Sequence, residues 1–308
     1  MQPAFSVIFL TVLIGAGQGL FLALFACELG GFGARPDERM LLAQGGAIAV
    51  VFNALGLLAS FFHLGRPERA WRAAAMWRTS WLSREVIALP LFMASCAAWS
   101  AAHALQLPGT RLLGLLGVLV CAALFLCTSM IYASLKFLQE WASPLTLVNF
   151  VLMGCASGTT LAALFASVAA VQWVPTLAWA ALLLTLAALA ARAASLIRNA
   201  RLKPRSTLQS AIGIRQPVIR QRSQGFMGSS YNTREFFHGK SAQALRSIKW
   251  VFLVAGFVIP AVLLISAEPT PALLLLTALI QLAGLVAERW FFFAQANHPQ
   301  NLYYQAVS

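Results

Sequence analysis

Charge is scarce in this sequence. Asp, Glu, Lys and Arg make up 10% of the 308 residues, and acid is the scarcer sign, with 9 Asp+Glu against 22 Lys+Arg. Soluble domains carry about 25% charged residues, so this chain lacks the polar surface to cover a soluble fold. Grouped thiols are missing too. The 5 cysteines (Cys27, Cys96, Cys121, Cys127 and Cys155) form no C-x-x-C pair, and all lie in or beside apolar runs. Iron–sulfur ligation uses grouped thiolates, so these read as small buried hydrophobes and no cluster or other metal is expected in this chain. A cleavable leader is not expected either. MQPAFSV has no positive n-region and the apolar run after it is too long for an h-region, which makes residues 4–27 a retained helix.

Apolar length is what the sequence has in excess. It is 60% hydrophobic, with a mean hydropathy of +0.76. A bilayer core about 30 Å thick needs roughly 20 apolar residues per helix. Eight segments meet that length: 4–27, 41–62, 83–105, 112–134, 145–171, 175–196, 250–267 and 272–294. The expected fold is an all-α integral membrane protein with eight transmembrane helices, arranged as four consecutive hairpins. Residues 1–308 then form a single polytopic domain with one polar insert at 197–247.

The net charge of +13 invites a nucleic-acid reading, but the positive residues are sorted by loop. One side of an eight-span chain collects nineteen of the 22 Lys/Arg, and the other keeps Arg35, Arg39 and Arg111. The positive-inside rule places the basic side, with both termini, in the cytoplasm. Topology therefore accounts for the basicity. The partners expected are the lipid bilayer and an acidic or lipid surface, not nucleic acid.

The same topology bears on haem. A membrane b-type haem usually takes two axial histidines from helices. Of the 4 histidines, only His63 and His103 lie at spans, and they fall near opposite membrane faces; His238 lies in the insert and His298 in the tail. No haem is expected.

Ionisable groups near a bilayer are costly and mark functional sites. Residues 63–85, HLGRPERAWRAAAMWRTSWLSRE, join the second and third spans and hold Arg66, Arg69, Arg72, Arg78 and Arg84 with Trp71, Trp77 and Trp81. His63 ends one span and Glu85 starts the next, so the two bracket the connection at one membrane border. An imidazole and a partly buried carboxylate suit proton exchange near neutral pH; a helix-capping glutamate with an interfacial histidine is the plainer alternative. Gln18, in GAGQG, falls at mid-span and needs a hydrogen-bond partner or a ligand. With no strand before it, GAGQG is not a dinucleotide fingerprint; its small residues suit close helix packing. Gln44, Asn53, Tyr132 and Asn149 are further polar positions within spans, and Glu288 and Arg289 are expected to pair with each other or with neighbouring helices, locking them.

The insert turns aromatic at GFMGSSYNTREFFHGK, which brings Phe226, Met227, Tyr231, Arg234, Phe236 and Phe237 together. The tail FFFAQANHPQNLYYQ adds Tyr303 and Tyr304. An aromatic–Arg mixture of this kind suits an interface anchor, and with the 63–85 connection it suggests one docking face for a partner. A membrane-hugging segment is the alternative.

These stretches carry a resemblance. HLGRP followed by WLSRE, then GFMGSSYNTREFFHG, then ERWFFFAQANHPQNLYYQ, resemble the dimethyl sulfoxide reductase membrane-anchor family across the whole chain. The resemblance implies a three-subunit molybdoenzyme of a molybdopterin catalytic subunit, an iron–sulfur electron-transfer subunit and this anchor. The anchor, not catalytic for the substrate itself, exchanges electrons with menaquinone or ubiquinone in a bacterial inner (cytoplasmic) membrane and carries no haem. It also implies that His63 and Glu85 are quinone-site and proton-relay residues, with Gln18 and Arg84 beside them, and that Arg66, Arg69, Arg72, Arg78, Phe226, Arg234, Phe236 and Phe237 dock the partner. The familiar member of the family holds its partners outside the cytoplasm. Here the docking side carries the positive charge, which resembles the cytoplasm-facing, sulfite-oxidising branch that makes sulfate and reduces quinone. An S- or N-oxide reductase anchor oxidising menaquinol, a passive anchor and a transporter are the alternatives. A transporter calls for ionisable groups at the midplane and broken helices, whereas the best ionisable pair here sits at the membrane edge.

Overall fold

The computed structural model describes residues 1–220, 236–266 and 269–303. Among these residues the regular structure is helical, and 8 helical stretches are long and apolar enough to cross a membrane. We label the helices α1 (Phe5–Leu29), α2 (Pro36–Phe61), α3 (Trp81–Ala104), α4 (Thr110–Ala133), α5 (Pro144–Ala169) and α6 (Val174–Ala200). After α6 come the short α7 (Leu208–Ile212), then α8 (Ala242–Leu253), α9 (Ile259–Ser266) and α10 (Pro271–Ala294). Between α2 and α3 the chain forms a 3₁₀ helix, Pro67–Met76.

Local chemistry sets these boundaries. Ser80, Ser143 and Thr270 cap α3, α5 and α10 with side-chain oxygens that accept from the first turn, and Pro36, Pro144 and Pro271 occupy early positions where no N–H is needed. The seventh span differs from the sequence expectation of 250–267. It runs Ala242–Ile265, because the Ser241 hydroxyl caps a polar extra stretch, accepting from Ala244 N at 3.2 Å. Within it, Val254–Val258 form one π turn that ends two residues before Pro260. Pro260 has no N–H to offer the carbonyl four residues back, and the π turn absorbs the missing bond.

α1 sits inside the bundle, packed on α2 and α5, while α3 bridges α2 and α4 and α10 packs on α5 and α8. Glycines allow the closest approach. Gly15 and Gly19 on α1 face Gly154 and Gly158 on α5, and a Cβ at Gly158 would run into the backbone of Gly19 and Leu20. Such spacing lets two helices in lipid touch backbone to backbone. On the side of α1 toward α3 and α4, Phe21 meets Phe92 and Trp99 edge-on, with centroids 5.5 and 5.3 Å apart. The outward faces keep large apolar side chains exposed, Leu112 on α4 and Leu183 on α6 among them. That suits lipid as their solvent.

Candidate functional site at the arginine-rich end

The α2–α3 connection is a surface built on a 3₁₀ helix with no buried residue. Arg66, Arg69, Arg72 and Arg78 are all exposed on it. Arg69 approaches Glu68 at 3.9 Å, while Arg72 and Arg78 lie 5.5 and 5.4 Å from the Trp71 and Trp77 rings. Contacts of this kind in water contribute little to stability, so these side chains remain available to a partner. Arg84 has a different task. Its Nε and Nη2 donate to the carbonyls of Trp77 and Arg78 at 2.9 and 2.7 Å, and its guanidinium lies 4.2 Å from the Trp81 ring. It pins the connection onto the first turn of α3.

Glu85 is buried one residue further along α3, and its Oε1 accepts the Thr128 hydroxyl of α4 at 2.5 Å. Tyr132 follows Thr128 by one helical turn, the spacing that puts two side chains on one helix face. Its ring is boxed by Trp141, Phe150, Phe292 and Phe293, at centroid distances of 5.4, 5.8, 5.5 and 5.4 Å. His63 lies in the turn just after α2, exposed, with its backbone N–H on Ser60 O. Partial burial holds its imidazole below the ordinary 6.5. No hydrogen bond or ion pair joins His63 to Glu85 among the described residues. On the outer side of the α3–α4 pair, a groove of about 330 Å³ runs from Trp77 and Arg84 past Leu91 to Leu119, lined almost wholly by apolar surface.

Gln18 is buried deeper, and its amide nitrogen donates to Cys121 O at 3.0 Å. The partner that a mid-span amide needs is thus a backbone carbonyl of α4. The insert and tail meet each other: Phe236 stacks on His298 at 3.9 Å, Asn301 Nδ2 donates to Phe236 O at 3.2 Å, and Phe237 is buried. Phe236 and Phe237 therefore face their own chain. Phe226, Met227, Tyr231, Arg234 and Tyr304 lie outside the described residues. Two of the nineteen basic residues counted on this side, Arg192 and Arg289, are buried within helices. Their Nε atoms lie 2.8 and 3.4 Å from the two oxygens of Glu288. Sequence reasoning singled out Glu85 but missed Thr128, a lone hydroxyl inside an apolar run. It expected Glu288 and Arg289 to pair with each other or with neighbouring helices, but did not single out Arg192, nearly a hundred residues away in sequence. Among the described residues, no group of 3 or more His, Cys, Asp or Glu is placed to hold a metal ion.

A multi-pass membrane protein, helical among its described residues, with a basic end and the carboxylates of Glu85 and Glu288 buried in its spans, has the form of a membrane anchor. The chain belongs to the family described as "DMSO reductase anchor subunit (DmsC)", which it matches over residues 1–304. It is also 50% identical to a sulfite dehydrogenase subunit of Allochromatium vinosum, over 330 aligned positions that cover 100% of both chains. The family resemblance, expected from the sequence motifs, and the likeness to a sulfite dehydrogenase anchor, expected from the sorting of positive charge, are both found.

Proposed function

We propose that this anchor is the quinone-reactive subunit of a three-subunit molybdopterin oxidoreductase that oxidises sulfite to sulfate at the cytoplasmic face of a bacterial inner membrane. Its partners are an iron–sulfur electron-transfer subunit and a molybdopterin catalytic subunit; the chemistry at the substrate belongs to the latter. The name of the relative supports the substrate. The charge asymmetry supports the sidedness, since positively charged loops are retained in the cytoplasm.

The observation that carries the reading is Glu85, a buried carboxylate held by Thr128 at the arginine-rich end. A quinone needs donors for two carbonyl oxygens, a proton path to water and an apolar seat for its isoprenoid tail. Glu85 and the exposed His63 suit the first two needs. The groove below Trp77 and Arg84 suits the third, because its wall is apolar down to Leu119. When bound, menaquinone or ubiquinone supplies the two-electron acceptor. Glu85 hydrogen-bonds the headgroup and hands on a proton, and His63 takes protons from the aqueous side. Arg84 fixes the connection that carries His63, and Gln18 holds α4 against α1 beside the site. Arg66, Arg69, Arg72 and Arg78, with Phe226 and Arg234 of the insert, dock the iron–sulfur partner, whose electrons complete the reduction. Phe236 and Phe237 support that face from beneath.

Glu85→Gln tests the proposal. The complex should assemble and oxidise sulfite with a soluble dye, yet lose quinone-coupled turnover. Undiminished quinone reduction removes Glu85 from the mechanism. The family description favours a second reading, an S- or N-oxide reductase anchor run by menaquinol. The copurifying catalytic subunit decides between them: a subunit that reduces dimethyl sulfoxide and fails on sulfite selects the second. A transporter would instead show solute flux with the isolated anchor in proteoliposomes.

A further inference from the structure

At the opposite end of the bundle, a cavity of about 360 Å³ opens where α1 and α3 end and α2 and α4 begin. Its floor is the buried carboxylate of Glu28. Trp99 Nε1 donates to one oxygen at 2.8 Å and the Thr110 hydroxyl to the other at 2.5 Å. His103 lines the cavity beside it, 3% exposed, with Nε2 at 3.4 Å from Glu28 but without hydrogen-bond geometry at either ring nitrogen. A buried imidazole without a hydrogen bond is uncommon.

The rim is cationic. Arg35, Arg39 and Arg111 are the positive charges that the sequence assigns to this face. Arg35 pairs with Glu38 at 2.7 Å. The other two line the cavity, and neither has an acidic partner among the described residues. Arg39 is held over the opening by its Nε on Gly33 O at 3.0 Å. α4 starts here as well, from Gly109 at φ 83°, a residue with no side chain to cap the first turn. Open N–H groups at a helix start attract an anion. Two guanidinium groups on the rim disfavour a metal cation. Glu28 does not reverse the balance, since its single carboxylate faces two guanidinium groups in the lining and already accepts from Trp99 and Thr110.

We propose that this cavity binds a phosphate group, and that its source is the phosphodiester of a phospholipid headgroup. The helix ends that form the cavity place it at the level of the membrane surface, where such groups lie. Arg39 and Arg111 grip the phosphate oxygens, the α4 N-terminus completes the cradle, and His103 contributes a ring N–H from below. The site is independent of the quinone reading.

Native mass spectrometry of the assembled complex in mild detergent reads the outcome. The wild type should retain a phospholipid that Arg39→Gln, Arg111→Gln and His103→Gln lose in part, with about tenfold weaker retention for each arginine removed. Adding phosphatidylglycerol should raise the thermal midpoint of the wild type more than that of the double arginine variant. Arg35→Gln, on the same face but outside the cavity, should keep the lipid, and dye-linked activity of each variant reports that the complex has assembled. A thermal shift with millimolar inorganic phosphate and no retained lipid would overturn the lipid source in favour of free phosphate. Equal lipid retention by wild type and the double variant, with equal thermal shifts, overturns the site.

Discussion

The Thr128 hydroxyl donates to Oε1 of Glu85 at 2.5 Å, across the α3–α4 contact. This bond fixes the direction of a carboxylate that makes no ion pair among the described residues. Thr128→Val keeps the volume and removes the donor, so it should leave assembly intact. Leaving a buried acceptor without its donor costs about 1–3 kcal/mol. Quinone-coupled turnover should fall by roughly tenfold or more, with dye-linked turnover unchanged, and Thr128→Ser should recover most of it. Equal rates for Val and Ser variants would make the bond irrelevant to function.

The α1–α5 contact depends on absent side chains. Gly158 abuts Gly19, and Gly154 approaches Gly15. Gly158→Ala has no space for its methyl, since the obstructing atoms are backbone and cannot rotate away. Overpacking costs about 1–3 kcal/mol in ordinary cores, and the upper part of that range is expected here. The thermal midpoint of the purified complex should drop, and expression with it. Gly65→Ala, with open space around it, is the matched control.

How much of this was legible in the sequence depends on the range of the interaction. Spans follow from apolar length, and every expected span has its helix. Glu85 stood out because a carboxylate in an apolar helix is costly wherever it points. Its partner did not, because a threonine in FLCTSMIY is compatible with lipid, with its own backbone or with another helix. Phe236 and Phe237 suggested anchors in water, yet one stacks on His298 and the other is buried. Composition gives the tendency of a ring to find cover, and only the tertiary structure says whose surface provides it. The seventh span begins earlier than its apolar run, since Ser241 caps a helix whose first turns are polar.

Glu288 holds two guanidinium groups in a buried cluster, with Arg289 also 3.8 Å from the Phe150 ring. One carboxylate thus faces two guanidinium groups inside the bundle. Glu288→Gln leaves both without an anion, and removing one partner of a buried pair costs about 3–5 kcal/mol. Arg192→Met leaves a neutral Glu288–Arg289 pair and fills the space with a flexible apolar chain, so it should cost clearly less. Thermal unfolding of the two variants side by side gives the order. Greater damage from Arg192→Met would mean that packing around α6, rather than charge balance, dominates the cluster.

His63 gives the site a pH signature. Partial burial disfavours its charged form and holds its pKa below 6.5. The imidazole is therefore neutral at pH 7, the state that can accept a proton from water and pass it on. As pH falls below 6.5, the unfolded chain takes up this proton before the folded chain does. The stability contribution of His63 is thus present at neutral pH and declines toward acid. For the reaction the consequence is sharper, because a cationic His63 can no longer accept the next proton. Quinone-coupled turnover should be flat across neutral pH and fall below the His63 pKa. In His63→Gln that acid limb should vanish, with a plateau lower than wild type. Steady-state rates with quinone and with dye, measured from about pH 5.5 to 8, separate this limb from any titration in the catalytic subunit, which both acceptors would share. An acid limb of the same shape in wild type and His63→Gln would exclude His63 as the proton acceptor.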